Sequence, residues 1–222
     1  MRSNHQPVAV EDIQAAHEMR KKEIRARLNE FRRIWRSGSD LQFWEELVYC
    51  IFTAGASARM GLKAVEAVRP LLIEGDAGEM TKALVAAGAH RFPVARPGYI
   101  IVTRNYLRAS CEMSLRRKLR SFRDPVKRRD WLAQEKQVKG LGYKEASHYL
   151  RNIGLGGYAI LDKHVLGCLQ DLKVIDSAKP PASRARYLEI EDKLRSFARD
   201  IKIDFDELDL VLWSMKTGEV LK

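Results

Sequence analysis

An all-α fold is what this sequence predicts, and three observations carry that expectation. Apolar residues recur at helical spacing through most of the 222 residues. Serine or aspartate stands in front of most of these stretches, where a side-chain oxygen can satisfy the first unpaired backbone N–H groups of a helix. No pair of alternating apolar and polar runs flanks a turn as a strand hairpin would.

Each element follows in order. Residues 8–36 put Ile13, Ile24, Leu28, Phe31 and Trp35 roughly on one face, opposite a long charged face. Ser39-Asp40-Leu41-Gln42 has capping-box spacing ahead of the apolar run Phe43 to Phe52. Ser57 caps the next helix, which ends near Arg69-Pro70, and a short helix follows Gly78 and stops at Gly88. Pro97 suits the first turn of a longer helix through 98–120. Asp124-Pro125 pairs an N-cap with a proline at the first helical position, opening a helix to about Val138. A tight turn, Gly140-Leu141-Gly142, leads into a helix over 143–153 that Gly154, Gly156 and Gly157 end. Asp162 caps a helix of about nine residues, and Ser183 and Asp204 cap two more, the last ending near Thr217-Gly218. The total is roughly ten helices in a single unit over 1–222, with a helix-hairpin-helix at about 125–153.

Composition narrows the function. At 45% apolar residues the chain can bury a core without staples. No stretch approaches the ~20 apolar residues of a membrane span, and Met1 to Gln6 lacks an apolar signal core, so a cytoplasmic protein is expected. Cys50, Cys111 and Cys168 are scattered, with no CxxC pair, which excludes a zinc knuckle or a four-cysteine cluster and suits buried thiols in a reducing compartment. No metal and no organic cofactor is expected. The net charge of +11 points to a polyanionic partner. Basic runs at Arg116-Arg117-Lys118, Lys127-Arg128-Arg129 and Lys136 to Lys144 flank the glycine turn, while acids gather in 189–209, expected to form a solvent face away from the polyanion.

The turn and its sequel carry the chemistry. Backbone N–H groups at Gly140 and Gly142, ahead of a helix N-terminus and beside Lys139, form a phosphate site that reads no sequence. Lys144 then falls in the first turn of the helix. A lysine of ordinary pKa, ~10.4, is almost wholly charged at neutral pH. A nucleophilic lysine therefore needs surroundings that favour the neutral amine, and a helix N-terminus, nearby cations and desolvation all act that way. Eighteen residues on, Asp162 offers one oxygen for capping and one for stabilising positive charge on a sugar or moving a proton. His164 and His148 are read as structural.

The stretch Lys-Gly-Leu-Gly-Tyr-Lys-Glu-Ala-Ser-His at 139–148, with Leu-Asp-Lys-His at 161–164, resembles the helix-hairpin-helix DNA glycosylases. It is most similar to the archaeal and bacterial family of 8-oxoguanine DNA glycosylase/AP lyases, and the resemblance runs from Glu46 to the last residue. It implies two helical lobes with a cleft between them. It also implies a monomeric, prokaryotic, nucleoid-associated enzyme that acts on double-stranded DNA containing 8-oxoguanine or abasic sites. In that reading Lys144 displaces the base through a Schiff base, β-elimination follows, and Asp162 assists.

Trp213 lies roughly 140° from Leu208 on the last helix, off the stripe of Leu208, Val211, Leu212 and Met215. The resemblance assigns it to the base pocket, with Phe92 as the opposite face and the terminal Lys222 contacting the lesion base. The sequence departs from the family pattern at Gly55 and Ala56, where polar side chains are expected, which bears on lesion and opposite-base preference. Two rival readings remain: a monofunctional glycosylase for another damaged base, in which Asp162 activates water and Lys144 only contacts DNA, and a non-catalytic helix-hairpin-helix DNA-binding module.

Overall fold

A computed structural model of the chain describes residues 7–222. Among them lie eleven α-helices, one 3₁₀ turn and no strand. The chain divides into two compact units: Phe31–Leu155, and the residues up to Glu30 with Gly156–Lys222. Helix α1, Val10–Ser37, supplies a segment to each.

The unit Phe31–Leu155 is built around α2, Asp40–Thr53, which is apolar on nearly every side. A helix apolar all round belongs in a core, and Phe43, Trp44, Leu47, Cys50, Ile51 and Phe52 are wholly buried. Ser39 caps it in the expected capping box with Gln42. Helix α3, Ala58–Val68, is capped by Ser57 and packs on α2. After a 3₁₀ turn at Arg69–Leu71, α4 runs Ala77–Ala86. It begins at an Asp76–Glu79 capping box rather than after Gly78, because Asp76 supplies an acceptor that Gly78 lacks.

The long helix expected over 98–120 is broken. Helix α5, Ala95–Cys111, ends where Glu112 and Met113 turn left-handed, and α6 resumes at Leu115–Arg120. Pro97 sits in the first turn of α5, as its missing N–H allows. Helix α7, Pro125–Gln134, opens on Asp124 and ends earlier than expected, four residues short of Val138, leaving a longer turn before α8, Tyr143–Asn152.

The other unit gathers the first part of α1 with α9, Lys163–Asp171, α10, Arg184–Asp200, and α11, Phe205–Thr217. Asp162, Ser183 and Asp204 cap these three helices as expected. The acidic stretch 189–209 is not a uniform solvent face, since Glu191, Glu207 and Asp209 are buried. Glu191 accepts the Ala159 N–H at 2.7 Å. Glu207 meets both His17 Nε2 and Arg25 Nε at 2.6 Å. Burial pushes the Glu207 carboxyl up, but the hydrogen bonds from Arg25 and His17 outweigh it and hold it below the usual range. Glu191 and Glu207 are inward because each meets a partner on another element, which avoids the desolvation penalty of an unpaired charge.

Candidate active site

The hairpin turn is built from its packing outward. Arg129 of α7 is fully buried and donates to Ser147 of α8 at 3.2 Å, while Tyr143 donates to Asp130 at 3.0 Å, so the two helices are tied by side chains as well as by apolar contact. Lys139 donates its backbone N–H to Thr103 of α5 at 2.9 Å and leaves its ammonium exposed. Gly140 is left-handed at φ 81, and a Cβ there would lie 3.0 Å from the Tyr99 ring and 3.3 Å from the Arg96 guanidinium. Glycine is needed on both counts.

Not all the flanking charge faces outward. Arg128 donates to the carbonyls of Leu119 and Phe122, Arg129 is buried, and Lys118 lies 5.3 Å over the Trp131 ring. Lys127, Lys136 and Lys139 are exposed, as is Arg117 of the preceding run. Runs of arginine in sequence thus mix scaffold with surface, since a guanidinium can donate to several backbone carbonyls at once.

Lys144 occupies the second position of α8, with its side chain 28% exposed. Its Nζ lies 2.8 Å from Glu145 Oε1, and Glu145 Oε2 accepts the Gly142 N–H at 3.2 Å. The hydrogen-bonding group at Gly142 is therefore already engaged by a carboxylate. Sequence reasoning passed over Glu145, although Gly142-x-x-Glu145 has the spacing of a capping box.

Phe92 is 38% exposed, with the Arg91 guanidinium 4.5 Å from its ring centroid and that of Arg96 at 5.8 Å. Its backbone N–H donates to His90 Nδ1 at 3.0 Å, and the other nitrogen of that ring lies 2.7 Å from the Phe52 carbonyl. This pattern requires a neutral imidazole protonated on Nε2. Arg96 also donates to the Ala54 carbonyl and stands over Tyr99, so one guanidinium joins the Phe92 loop, the end of α2 and the glycine turn. Arg96 was missed because nothing local distinguishes it from any arginine in a helix's first turn.

Gly55 explains the departure from the family pattern in backbone terms. Its φ of 77 is left-handed, a conformation that glycine and asparagine enter most readily. Glycine meets that conformation without contributing a polar side chain.

In the unit containing the C-terminus, Asp162 is half-buried and directs a single oxygen, Oδ1, to the N–H groups of His164 and Val165, both at 2.8 Å. Its Oδ2 has no hydrogen-bond partner among the described residues. Burial, reinforced by Lys163 and Lys216 against the pull of Asp162, lowers the His164 pKa from its ordinary value, so the imidazole is neutral at pH 7. Trp213 is half-exposed beside buried Leu212 and Ser214. The tail is held rather than frayed: Arg20 donates to the Gly218 carbonyl at 2.8 Å, Val220 is buried, and Lys222 is half-exposed.

The sequence pattern of the Ogg-HhH family, described as 8-oxoguanine DNA glycosylase, matches residues 24–203. The chain belongs to this family. As a family member it is 40% identical to an 8-oxoguanine DNA glycosylase/AP lyase of Korarchaeum cryptofilum, over 90% of each chain. A crystal structure of the Methanocaldococcus jannaschii 8-oxoguanine glycosylase/lyase with a 15mer DNA containing 8-oxoguanine matches at a TM-score of 0.86 and 32% identity. That match covers 96% of this chain and 99% of the other. The 8-oxoguanine DNA glycosylase of Thermotoga maritima matches at 0.85 and 31% identity, covering 96% and 98%. The family glycosylase described here therefore shares its all-helical fold with solved relatives along nearly its whole length. No described helix is long and apolar enough to cross a membrane.

Proposed function

We propose that this 8-oxoguanine DNA glycosylase family member removes 8-oxoguanine from duplex DNA and then cuts the strand at the abasic site, through a Schiff base on Lys144. The activity is that of its curated relatives along 90% or more of their length. Lys144 supports the covalent route. It stands two residues past the glycine turn, partly withdrawn from solvent, where a strand anchored by its phosphate would present a sugar.

The chain's own groups suffice for the chemistry. Lys139 and the turn at Gly140 hold the backbone phosphate without reading sequence, while Gly142, whose own N–H is taken by Glu145, adds no side chain to block its approach. The neutral Lys144 amine attacks C1′, and the base leaves with the electrons of the glycosidic bond. Asp162 stabilises the cationic sugar through Oδ2 while Oδ1 keeps capping α9. The nitrogen then loses a proton and its lone pair opens the C1′–O4′ bond as O4′ takes a proton, giving an iminium that acidifies the C2′ proton, so that β-elimination expels the 3′ phosphate. The family resemblance assigns Trp213, Phe92 and Lys222 to recognition of the extruded base. An amine and proton carriers complete both steps, so the reaction calls on no cofactor. The +11 charge keeps it associated with the nucleoid.

Borohydride trapping on an 8-oxoguanine duplex tests this reading. A covalent adduct together with strand cleavage is expected. Base release without an adduct would indicate the monofunctional reading, and binding without release would indicate a DNA-binding module.

A further inference from the structure

Glu145 has two carboxylate oxygens that face different groups. Oε2 takes the Gly142 N–H at 3.2 Å, and Oε1 lies 2.8 Å from Lys144 Nζ. The side chain is 13% exposed and that of Lys144 28%, so the pair is largely withdrawn from solvent. Among the described residues, no other acid lies within ion-pair distance of Lys144. Closing the turn requires one neutral acceptor oxygen, which a glutamine would supply equally well. The charge and the second oxygen are not needed for that task.

We propose that Glu145 accepts the proton that Lys144 must lose before its amine attacks. The proposal rests on Lys144 being the nucleophile, as above. One Nζ–H bond of the ammonium breaks and an Oε1–H bond forms, leaving a neutral amine and a carboxylic acid. The nitrogen lone pair then bonds to C1′ as the C1′–N electrons leave with the base. The separation of 2.8 Å is within reach for direct transfer. In water the carboxylate is a weak acceptor from an ammonium, but a docked nucleotide strips water from the pair. Desolvation then penalises the two charged forms and favours the neutral couple. The bond to Gly142 prevents Oε1 from swinging away. Asp162 is then left to face the charge on the sugar.

The test uses the full-length protein with Glu145→Gln, Glu145→Asp and Lys144→Gln, in single-turnover borohydride trapping on an 8-oxoguanine duplex across a pH range. Duplex affinity and melting temperature are measured alongside. Glu145→Gln should bind and melt like the parent yet form adduct about a hundredfold more slowly at neutral pH. The deficit should shrink as pH rises, because solvent base takes over the proton. Glu145→Asp should recover part of the rate. The proposal is overturned if Glu145→Gln reacts as fast as the parent or faster, or if its deficit is constant with pH. It is equally overturned if the loss follows a fall in melting temperature, which would make Glu145 a hairpin cap. Normal trapping by Lys144→Gln would bring down the nucleophile assignment, and this inference with it.

Discussion

The N-termini of α8 and α9 present two polar side chains in different ways. At α8 the cap position is Gly142, which has no side chain to offer the first-turn N–H groups; Glu145 instead takes the N–H of Gly142 itself, and the same carboxylate holds Lys144. At α9 the cap is Asp162 itself, which satisfies two N–H groups with one oxygen and leaves the other without a hydrogen bond among the described residues. The first arrangement leaves the backbone of the turn open to close approach and gives the helix's first turn a cation. The second gives it an anion that the helix dipole favours. Lys144 is thus held against the electrostatic preference of its helix end, and Asp162 with it. At α8 the misplaced cation is met by the Glu145 carboxylate, whereas at α9 the carboxylate lies where the helix end favours a negative charge.

Replacement at α8 should give the largest effect. Lys144→Gln is expected to bind duplex normally and to form no borohydride adduct and release no base. A normal trapped yield would move the nucleophile elsewhere and remove the contrast.

Asp162→Asn should come second, slowing base excision by more than about a hundredfold with little change in affinity. Asparagine can still cap with its amide oxygen, so the melting temperature should hold. Asp162→Ala adds the loss of the cap, about 1 kcal/mol. A defect in the asparagine variant that follows a drop in melting temperature would reduce Asp162 to a cap.

The same contrast marks what was legible in the sequence. Caps are local, so Ser39, Ser57, Asp124, Asp162, Ser183 and Asp204 announced their helices within a few residues. The break at Glu112–Met113 was not announced, because two non-glycine residues adopt the left-handed region there without a glycine to mark the stop. The inward acids were missed for a different reason. Glu207 is paired by His17 and Arg25, which lie 190 and 182 residues away in the chain. Lys144 and Asp162 were proposed from a family-like motif, while the engagement of Lys144 by Glu145 needed coordinates.

The tail gives an effect of intermediate size. Val220 and the Gly218 carbonyl anchor it, so removing Lys222 alone should leave the fold intact. Loss of a buried recognition hydrogen bond costs ~1–3 kcal/mol, about tenfold to a hundredfold in excision of 8-oxoguanine. Cleavage at a preformed abasic site, which has no base to recognise, should be nearly unchanged. Equal loss on both substrates would make the tail a support for the fold, and no loss on either would leave it without a part in recognition.

Stability at low pH probes the C-terminal unit apart from its chemistry. Glu207 is held below the ordinary carboxylate range in the folded chain, so its ion pairs stabilise the protein above the unfolded value. That contribution is lost as pH falls through the lowered folded value. Glu207→Gln should therefore cost about 1–3 kcal/mol at neutral pH and flatten the fall in melting temperature on acidification. An unchanged acid limb would mean that His17 and Arg25 do not favour the charged carboxylate.

The smallest effect belongs to the exposed cation of the turn. Each phosphate neutralised by a cation contributes about −0.9 to the slope of log affinity against log salt. Lys139 is tied by its backbone to Thr103, with its ammonium in solvent, so Lys139→Glu should leave the turn in place and remove one such contact. The slope for undamaged duplex should then flatten by about 1, with single-turnover chemistry at saturating protein unchanged. Arg129→Gln provides the contrast within the same hairpin. Its guanidinium is buried against Ser147, so its loss should lower the melting temperature and leave the salt slope of the folded fraction alone. If both variants changed the slope equally, the division of the basic runs into scaffold and surface would be wrong. If neither did, the phosphate would be held by backbone N–H groups alone.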